Sequence, residues 1–214
     1  MITQESNQKS WLIKQGYFDR KPKNLLFTSQ SITFGSQKLS VPTTIDLSHV
    51  APIQYRFGIK WVRGFEFTVG RKYQLSIKNN DDEMIKISFG SYYGINKTFL
   101  HKQYTEILNQ LWATYFDGLV DHYLALFDQK TSFTLANVNF DELGVKIKAT
   151  NFINEQEKSL AWTDVGTKNY LTYFAIFSKQ NPSKINKGYS YLNDWNTGIL
   201  YSVIETILKR LEVK

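Results

Sequence analysis

Three short segments in the N-terminal half alternate apolar with polar residues. They are residues 65–69, 73–77 and 85–89. A period of two is the pattern of a β-strand with one buried face. Residues 70–72 and 79–82 lie between these segments and contain Gly, Asn and Asp, which are typical of turns. The pattern predicts a three-stranded antiparallel meander in which Phe65, Phe67 and Tyr73 are buried.

Shorter apolar runs on both sides of this meander predict further strands. Upstream they cover residues 11–13, 25–28, 31–34, 44–47 and 53–55. Downstream they cover residues 133–135, 144–148, 159–162 and 170–177.

From Leu100 the apolar spacing becomes helical, with pairs that recur every four residues from Ile107 to Leu124. Because an α-helix has 3.6 residues per turn, each step of four overshoots by about 40°, and the apolar face winds around the helix. A single partner surface cannot cover such a face. The helix is therefore predicted either to break near Asp117-Gly118 or to pack its two halves on different partners. In the second case Leu108, Leu111 and Trp112 pack on the N-terminal sheet, and Tyr123, Leu124 and Phe127 on the C-terminal unit or another subunit.

A second amphipathic helix closes the chain. Asn193 or Asp194 is suited to cap its first turn, and Lys209 and Arg210 lie where the helix dipole favours cations. Its apolar face comprises Ile199, Leu200, Val203, Ile204, Ile207, Leu208 and Leu211. Strands, helix, strands and helix follow one another along the chain, which predicts an α+β fold.

The change of pattern divides the chain into two predicted units. Residues 10–127 should form an antiparallel sheet or partly open barrel capped by a C-terminal helix, and residues 130–214 a second, smaller antiparallel sheet with a closing helix. Residues 45–50 and 160–165 share the order apolar-x-apolar-hydroxyl-x-Val. Roughly 50 residues separate the first segment from the helix that follows it, but only roughly 30 residues separate the second segment from its helix. A copied second unit would thus have lost a hairpin.

The positive charge of the chain is concentrated in its first part. The chain has 26 Lys+Arg and 19 Asp+Glu, of which residues 1–100 hold 14 and 7, and residues 101–214 hold 12 and 12. Since 21 of the basic residues are Lys, compositional bias and a solvated basic face explain the excess better than a functional patch does.

Several kinds of chemistry are missing from the sequence. With no Cys, the chain has no disulfides, thiolate nucleophile or Cys-ligated zinc. His49, His101 and His122 lack metal-binding spacing, and there is no Gly-rich phosphate loop. We therefore predict no catalytic residue, no metal and no cofactor. The N-terminus has no apolar run of signal-peptide length, which predicts a cytoplasmic protein.

Residues 11–27 place a basic loop between two apolar segments, and residues 45–50 and a helix carrying Trp112 follow. This layout resembles the pleckstrin-homology-like superfold over roughly residues 10–127, and the second unit resembles a shortened copy. In members that bind phosphoinositides, basic residues of the first loop hold phosphates. The resemblance therefore implies an anion site, and contact with an anionic membrane surface. The matching residues are Lys14, Arg20, Lys21 and Lys23.

Two aromatic groupings have both a structural and a functional interpretation. Basic and aromatic residues mix as in a nucleic-acid stacking surface at Trp61, Arg63, Phe65, Arg71, Lys72 and Tyr73. The alternation predicts that most of these aromatics are core residues, which disfavours nucleic acid. A second cluster forms either a ligand or peptide groove or a tyrosine-rich core. It comprises Tyr170, Tyr173, Tyr189, Tyr191 and Trp195.

The sequence thus favours a non-enzymatic binding or scaffolding protein with a protein partner. Binding of anionic lipid or nucleic acid through the basic N-terminal half is one alternative, and an enzyme of unrecognised type is another. The oligomeric state stays open.

Overall fold

Two units with the same order of sheets make up the chain, and the second unit begins with an additional helix. The computed structural model describes residues 9–15, 21–35, 43–46, 54–79, 83–150 and 155–212. The units are Met1–Thr114 and Tyr115–Lys214. Each has a four-stranded antiparallel sheet, then a three-stranded antiparallel sheet, then a helix. The fold is α+β, and the described strands form no closed barrel.

The first unit pairs its strands in chain order. Its four-stranded sheet contains β1 (Lys9–Ile13), β2 (Lys23–Phe27), β3 (Ser31–Gly35) and β4 (Thr43–Asp46). Its three-stranded sheet contains β5 (Gln54–Arg63), β6 (Thr68–Lys78) and β7 (Met84–Tyr92), and α1 (Lys97–Leu111) follows. The upstream strands predicted near residues 11, 25, 31 and 44 are confirmed.

Alternating side chains form the core of this unit. Tyr73 is fully buried, and α1 lays Tyr104 against it with ring centroids 5.0 Å apart. Phe89 of β7 lies 5.3 Å from the Tyr73 ring. The buried Gln103 donates from Nε2 to the Leu12 carbonyl oxygen at 3.1 Å, which ties α1 to β1.

The predicted meander is corrected in its first hairpin. Residues 65–69 are not one strand: β5 extends to Arg63, the turn occupies residues 64–67, and β6 contains residues 68–69 together with the predicted turn at residues 70–72. Gly70 serves close packing here, because a Cβ atom would lie 2.7 Å from both the Tyr92 ring and the Ser91 carbonyl oxygen. The predicted burial of Phe65 and Phe67 is therefore wrong, whereas that of Tyr73 is correct.

The central helical stretch is interrupted where the two units meet along the chain. A π-helical segment, Trp112–Phe116, separates α1 from α2 (Asp117–Asp128). A π turn takes more residues than an α turn, which accommodates the four-residue apolar spacing. The boundary between the units falls at Thr114/Tyr115, within the helix that the prediction assigned entirely to the first unit.

Each half of this stretch packs within its own unit, as predicted. In the first unit Leu111 is fully buried, and Leu108 and Trp112, which are predicted to pack beside it, are half-buried. In the second unit the Tyr123 ring lies 5.2 Å from that of Phe133, and the Phe127 ring lies 5.5 Å from that of Trp162.

The second unit repeats the strand pattern with shorter strands. Its four-stranded sheet contains β8 (Phe133–Leu135), β9 (Val138–Phe140), β10 (Gly144–Thr150) and β11 (Glu155–Ala161). A 3-10 turn, Trp162–Asp164, leads to β12 (Val165–Asn169), β13 (Tyr173–Ser178), β14 (Asn186–Ser190) and α3 (Thr197–Glu212). The predicted loss of a hairpin is wrong. The missing length lies in the strands, since β5, β6 and β7 have 10, 11 and 9 residues and β12, β13 and β14 have 5, 6 and 5.

The closing helix supplies the core of the second unit. Fully buried side chains on its predicted apolar face are Ile199, Leu200, Val203, Ile204 and Ile207. Arg210 donates from Nη1 to both carboxylate oxygens of Asp128, at 3.0 and 2.9 Å, and so joins α3 to α2. Asp194, a predicted cap of α3, accepts instead from the backbone N–H of Ser190 at 2.6 Å.

The glycine at the start of β10 gives a test of the second unit. A Cβ atom at Gly144 would overlap the Leu160 carbonyl oxygen of the paired strand, so Gly144→Ala should cost about 1–3 kcal/mol of unfolding free energy. Gly118 is the control, because it is exposed in α2 and a Cβ added there would meet no atom within 4 Å, and Gly118→Ala should stabilise by about 0.5–1 kcal/mol. Urea unfolding measures both; equal effects of the two substitutions would contradict the β10–β11 register.

Candidate functional site

The turn between β5 and β6 presents two phenylalanines to solvent. We call residues 64–67 the first tip. The Gly64 N–H donates to the Phe67 carbonyl oxygen at 2.7 Å, which leaves Phe65 and Glu66 as a two-residue loop. The side chain of Phe65 is fully exposed, and that of Phe67 is 65% exposed. Large apolar side chains at the apex of a hairpin indicate an interaction surface, because water solvates them poorly.

Further exposed apolar side chains lie in the connection between β7 and α1 and in the first turn of α1. They are Tyr93 and Ile95 in the connection and Phe99 in the helix. The Tyr93 N–H donates to the Val69 carbonyl oxygen at 2.8 Å, so this connection begins beside the base of the first tip. The Ser91 hydroxyl holds its other end by donating to the Ile95 carbonyl oxygen at 2.7 Å. The exposed apolar surface therefore includes both the tip and the adjacent chain.

Four cations flank the first tip along the hairpin. We call Lys60, Arg63, Arg71 and Lys72 the basic collar. Lys60 and Lys72 lie directly opposite each other across β5 and β6, an arrangement that destabilises a sheet. Among the described residues none of the four makes an ion pair. The collar therefore concentrates positive charge that nothing described in this unit neutralises.

The collar surrounds the hairpin on both faces. Arg71 lies opposite Trp61, with its guanidinium carbon 4.2 Å from the centre of the indole ring. Because side chains alternate along a strand, this pair shares the face of buried Tyr73, while Lys60 and Lys72 lie on the other face. Arg63 is next to Gly64 and Lys60 is four positions before it, so the collar extends from the tip to about 13 Å behind it at about 3.3 Å per residue.

The predicted anion site lies in the other sheet of the same unit. Lys14 and Lys21 are exposed, and Lys23 is half-buried with its Nζ 5.5 Å from the centre of the Phe34 ring. The pairing of Ile13 with Lys23 puts these lysines at one end of the β1–β2 hairpin. Arg20 lies outside the described residues, and the convergence of the four cations stays a prediction.

The predicted aromatic groove is divided between the core and a hairpin turn. Tyr170 and Tyr173 stack at the β12–β13 turn, with ring centroids 4.4 Å apart. Tyr189 is 3% exposed and belongs to the core, and the Tyr191 hydroxyl donates to Asn169 Oδ1 at 2.7 Å. Trp195 is half-buried. The five side chains therefore do not form one open aromatic surface.

A cavity of about 300 Å³ lies between β12 and α3 in the second unit. It is lined by Val165, Gly166, Thr167, Phe177, Lys179, Glu205, Leu208 and Lys209. Inside it the Thr167 hydroxyl donates to Glu205 Oε1 at 2.6 Å. The carboxylate that could act on a ligand, that of Glu205, is thus already hydrogen-bonded within the unit.

Acid–base and metal chemistry have little support in the described part of the chain. It holds no group of three or more His, Asp or Glu side chains suited to a metal ion. Burial raises the pKa of Tyr115 and of Tyr191 to about 12, so both phenols stay protonated at neutral pH and cannot serve as bases. None of the described helices has the length and apolarity needed to cross a membrane.

The exposure of the first tip can be tested by stability. Because Phe65 and Phe67 are largely exposed, Phe65→Ser/Phe67→Ser should change the unfolding free energy by no more than about 0.5 kcal/mol. Phe89→Ala in the same sheet removes a 2% exposed ring and should cost about 3–5 kcal/mol. Urea unfolding of the wild type and the two variants measures these changes. A large loss of unfolding free energy in the double variant would show that both phenylalanines belong to the core.

Comparison with known protein families, with curated proteins and with solved structures finds no match to this chain. Its function is therefore inferred from its own geometry and charge.

Proposed function

We propose that the protein is a non-enzymatic binding protein that docks on anionic membrane surfaces through the first tip. One observation carries this proposal: Phe65 and Phe67 stand exposed at the apex of a hairpin whose collar holds four cations without ion pairs among the described residues. Apolar side chains at the apex and cations behind it match, in order, the acyl boundary and the headgroups of a bilayer.

The energetics of peripheral binding favour this combination. A single weak apolar anchor gives only marginal, reversible attachment, and stable attachment takes a second signal such as a basic patch. Each Lys or Arg near an anionic surface contributes about 1 kcal/mol. Interfacial side chains enter about 5–10 Å into the headgroup and acyl boundary, so a collar that extends from the tip to about 13 Å behind it lies at the level of the headgroups.

The distribution of the cations favours a membrane over nucleic acid. A single strand follows one groove, with aromatic rings and cations interleaved along it. Here Arg71 and Lys72 lie on opposite faces of one strand, and the phenylalanines stand beyond both. The membrane around an inserted tip can contact cations on both faces of the hairpin. A nucleic-acid strand bound along one face would leave the cations of the other face unused.

The layout of the two units supports membership of the pleckstrin-homology-like superfold. Four strands, three strands and a helix follow one another in each unit. Under this assignment the β1–β2 loop, with Lys14, Arg20, Lys21 and Lys23, is a second candidate anion contact of the first unit. The first tip is the stronger candidate because it joins charge to exposed apolar surface.

Vesicle binding tests the proposal with two variants matched in charge. One changes the collar to Gln at Lys60, Arg63, Arg71 and Lys72; the other changes Lys14, Arg20, Lys21 and Lys23 to Gln. The collar variant should lose roughly 10²–10³-fold in affinity for vesicles of phosphatidylcholine with phosphatidylserine, because four cations leave the headgroup region. The loop variant should lose much less. Co-sedimentation at low and physiological salt measures the difference.

Three outcomes would contradict the proposal. The first is absence of wild-type binding at either salt concentration. The second is a larger loss in the loop variant than in the collar variant, which would transfer the site to the β1–β2 hairpin. The third is tighter binding to a labelled single-stranded oligonucleotide than to vesicles, measured by fluorescence anisotropy, which would favour nucleic acid.

Glu66 gives a prediction of opposite sign. It is the one acidic residue of the first tip, exposed between the two phenylalanines, so it opposes approach to an anionic surface. Glu66→Gln should strengthen binding to anionic vesicles about fivefold, the effect of about 1 kcal/mol, and leave binding to phosphatidylcholine vesicles unchanged. Unchanged or weaker binding to anionic vesicles would place Glu66 away from the lipid.

A further inference from the structure

We infer that the β12–β13 hairpin of the C-terminal unit is a second membrane-contact site, equivalent in position to the first tip. We call residues 170–173 the second tip. This inference rests on the proposed function, and it adds a contact in a unit that has no excess of positive charge.

The two tips occupy the same place in their units. Each lies in the first hairpin of the three-stranded sheet, which is β5–β6 in the first unit and β12–β13 in the second. Each is closed by the same backbone hydrogen bond, from the N–H of its first residue to the carbonyl oxygen of its fourth. The donors are Gly64, at 2.7 Å, and Tyr170, at 2.9 Å. Both hairpins therefore have two-residue loops.

The side chains of the two loops also correspond in type. Phe65 and Leu171 take the first loop position. Phe65 is fully exposed and Leu171 is 81% exposed. Glu66 and Thr172 take the second, polar position. An aromatic residue follows in both, Phe67 in one tip and Tyr173 in the other. The same order of apolar, polar and aromatic residues is thus presented at equivalent turns.

The second tip has the chemistry of a membrane interface. Tyr170 and Tyr173 stack beside the loop and remain 38% and 37% exposed. Lys168 places its Nζ 5.1 Å from the centre of the Tyr170 ring. In the first unit the guanidinium group of Arg71 likewise lies over the ring of Trp61. Tyrosine is enriched at the headgroup level because its ring is apolar and its hydroxyl is polar.

Charge distinguishes the second tip from the first. Residues 115–214 hold 11 Lys+Arg and 11 Asp+Glu, so the second unit has no net charge to attract an anionic surface. The contribution of the exposed Leu171 to this contact is apolar and should not depend on salt. Such a contact is weak alone, but it strengthens attachment once the first tip is bound, since the second engagement is then intramolecular.

The experiment compares two equally exposed leucines of the same unit. Leu171→Ser alters the second tip, and Leu143→Ser is the matched control, because Leu143 is 80% exposed in the β9–β10 turn. Phe65→Ser/Phe67→Ser alters the first tip. The full-length proteins are titrated with vesicles of phosphatidylcholine and phosphatidylserine at low and physiological salt. Circular dichroism checks that each variant is folded.

Leu171→Ser should weaken vesicle binding about tenfold, the order expected for a leucine that loses its burial in an apolar phase, by the same factor at both salt concentrations. Leu143→Ser should bind like wild type. Equal binding by the two leucine variants, with weaker binding by the first-tip variant, would overturn the second site and leave the proposed function in place. If the first-tip variant also binds like wild type, both fail together.

Discussion

The constraint behind the long β5–β6 hairpin is the close fit of Gly70 in β6 against Tyr92 in β7. A side chain at Gly70 would collide with the Tyr92 ring and with the Ser91 carbonyl oxygen, so β6 keeps its pairing with β7 at this position because residue 70 is a glycine. The pairing continues to Arg63, with a register shift between Val62 and Arg63, and only then does the chain reverse. Such irregularities bend the strand and increase its twist. The exposure of Phe65 and Phe67 and the position of the basic collar both follow from this continuity.

Local periodicity predicted most of the fold, because each buried face leaves a period in the sequence. It gave the strands of the first sheet, the apolar face of α3, and the separate packing of the two halves of the central helical stretch. Local periodicity failed at Gly70, because a glycine can mark either a turn or a close contact within a strand. Residue type alone assigns Gly70 to a turn, whereas its role is close packing. The alternation of Tyr55, Phe57, Ile59 and Trp61, which runs up to Gly64, was the available signal for the actual register.

The candidate site was predicted less well than the fold for a related reason. Phe65 and Phe67 continue the alternation of a strand into its turn, so periodicity alone assigns them to the core. Their exposure depends on which turn closes the hairpin, and that is decided by contacts with β7, distant in sequence. The equivalence of the two units was hidden in a similar way, since the second unit keeps every strand but shortens the three-stranded sheet.

Insertion of the first tip into lipid can be measured directly, because the chain contains no Cys. Glu66→Cys places a single environment-sensitive fluorophore at the apex and keeps both phenylalanines, and Lys86→Cys places the same fluorophore on an exposed position of β7 as a control. With anionic vesicles, the label at residue 66 should shift its emission to shorter wavelength and be quenched by a lipid-phase quencher, whereas the label at residue 86 should do neither. A label at residue 66 that stays in water while the protein sediments with the vesicles would contradict docking through this tip.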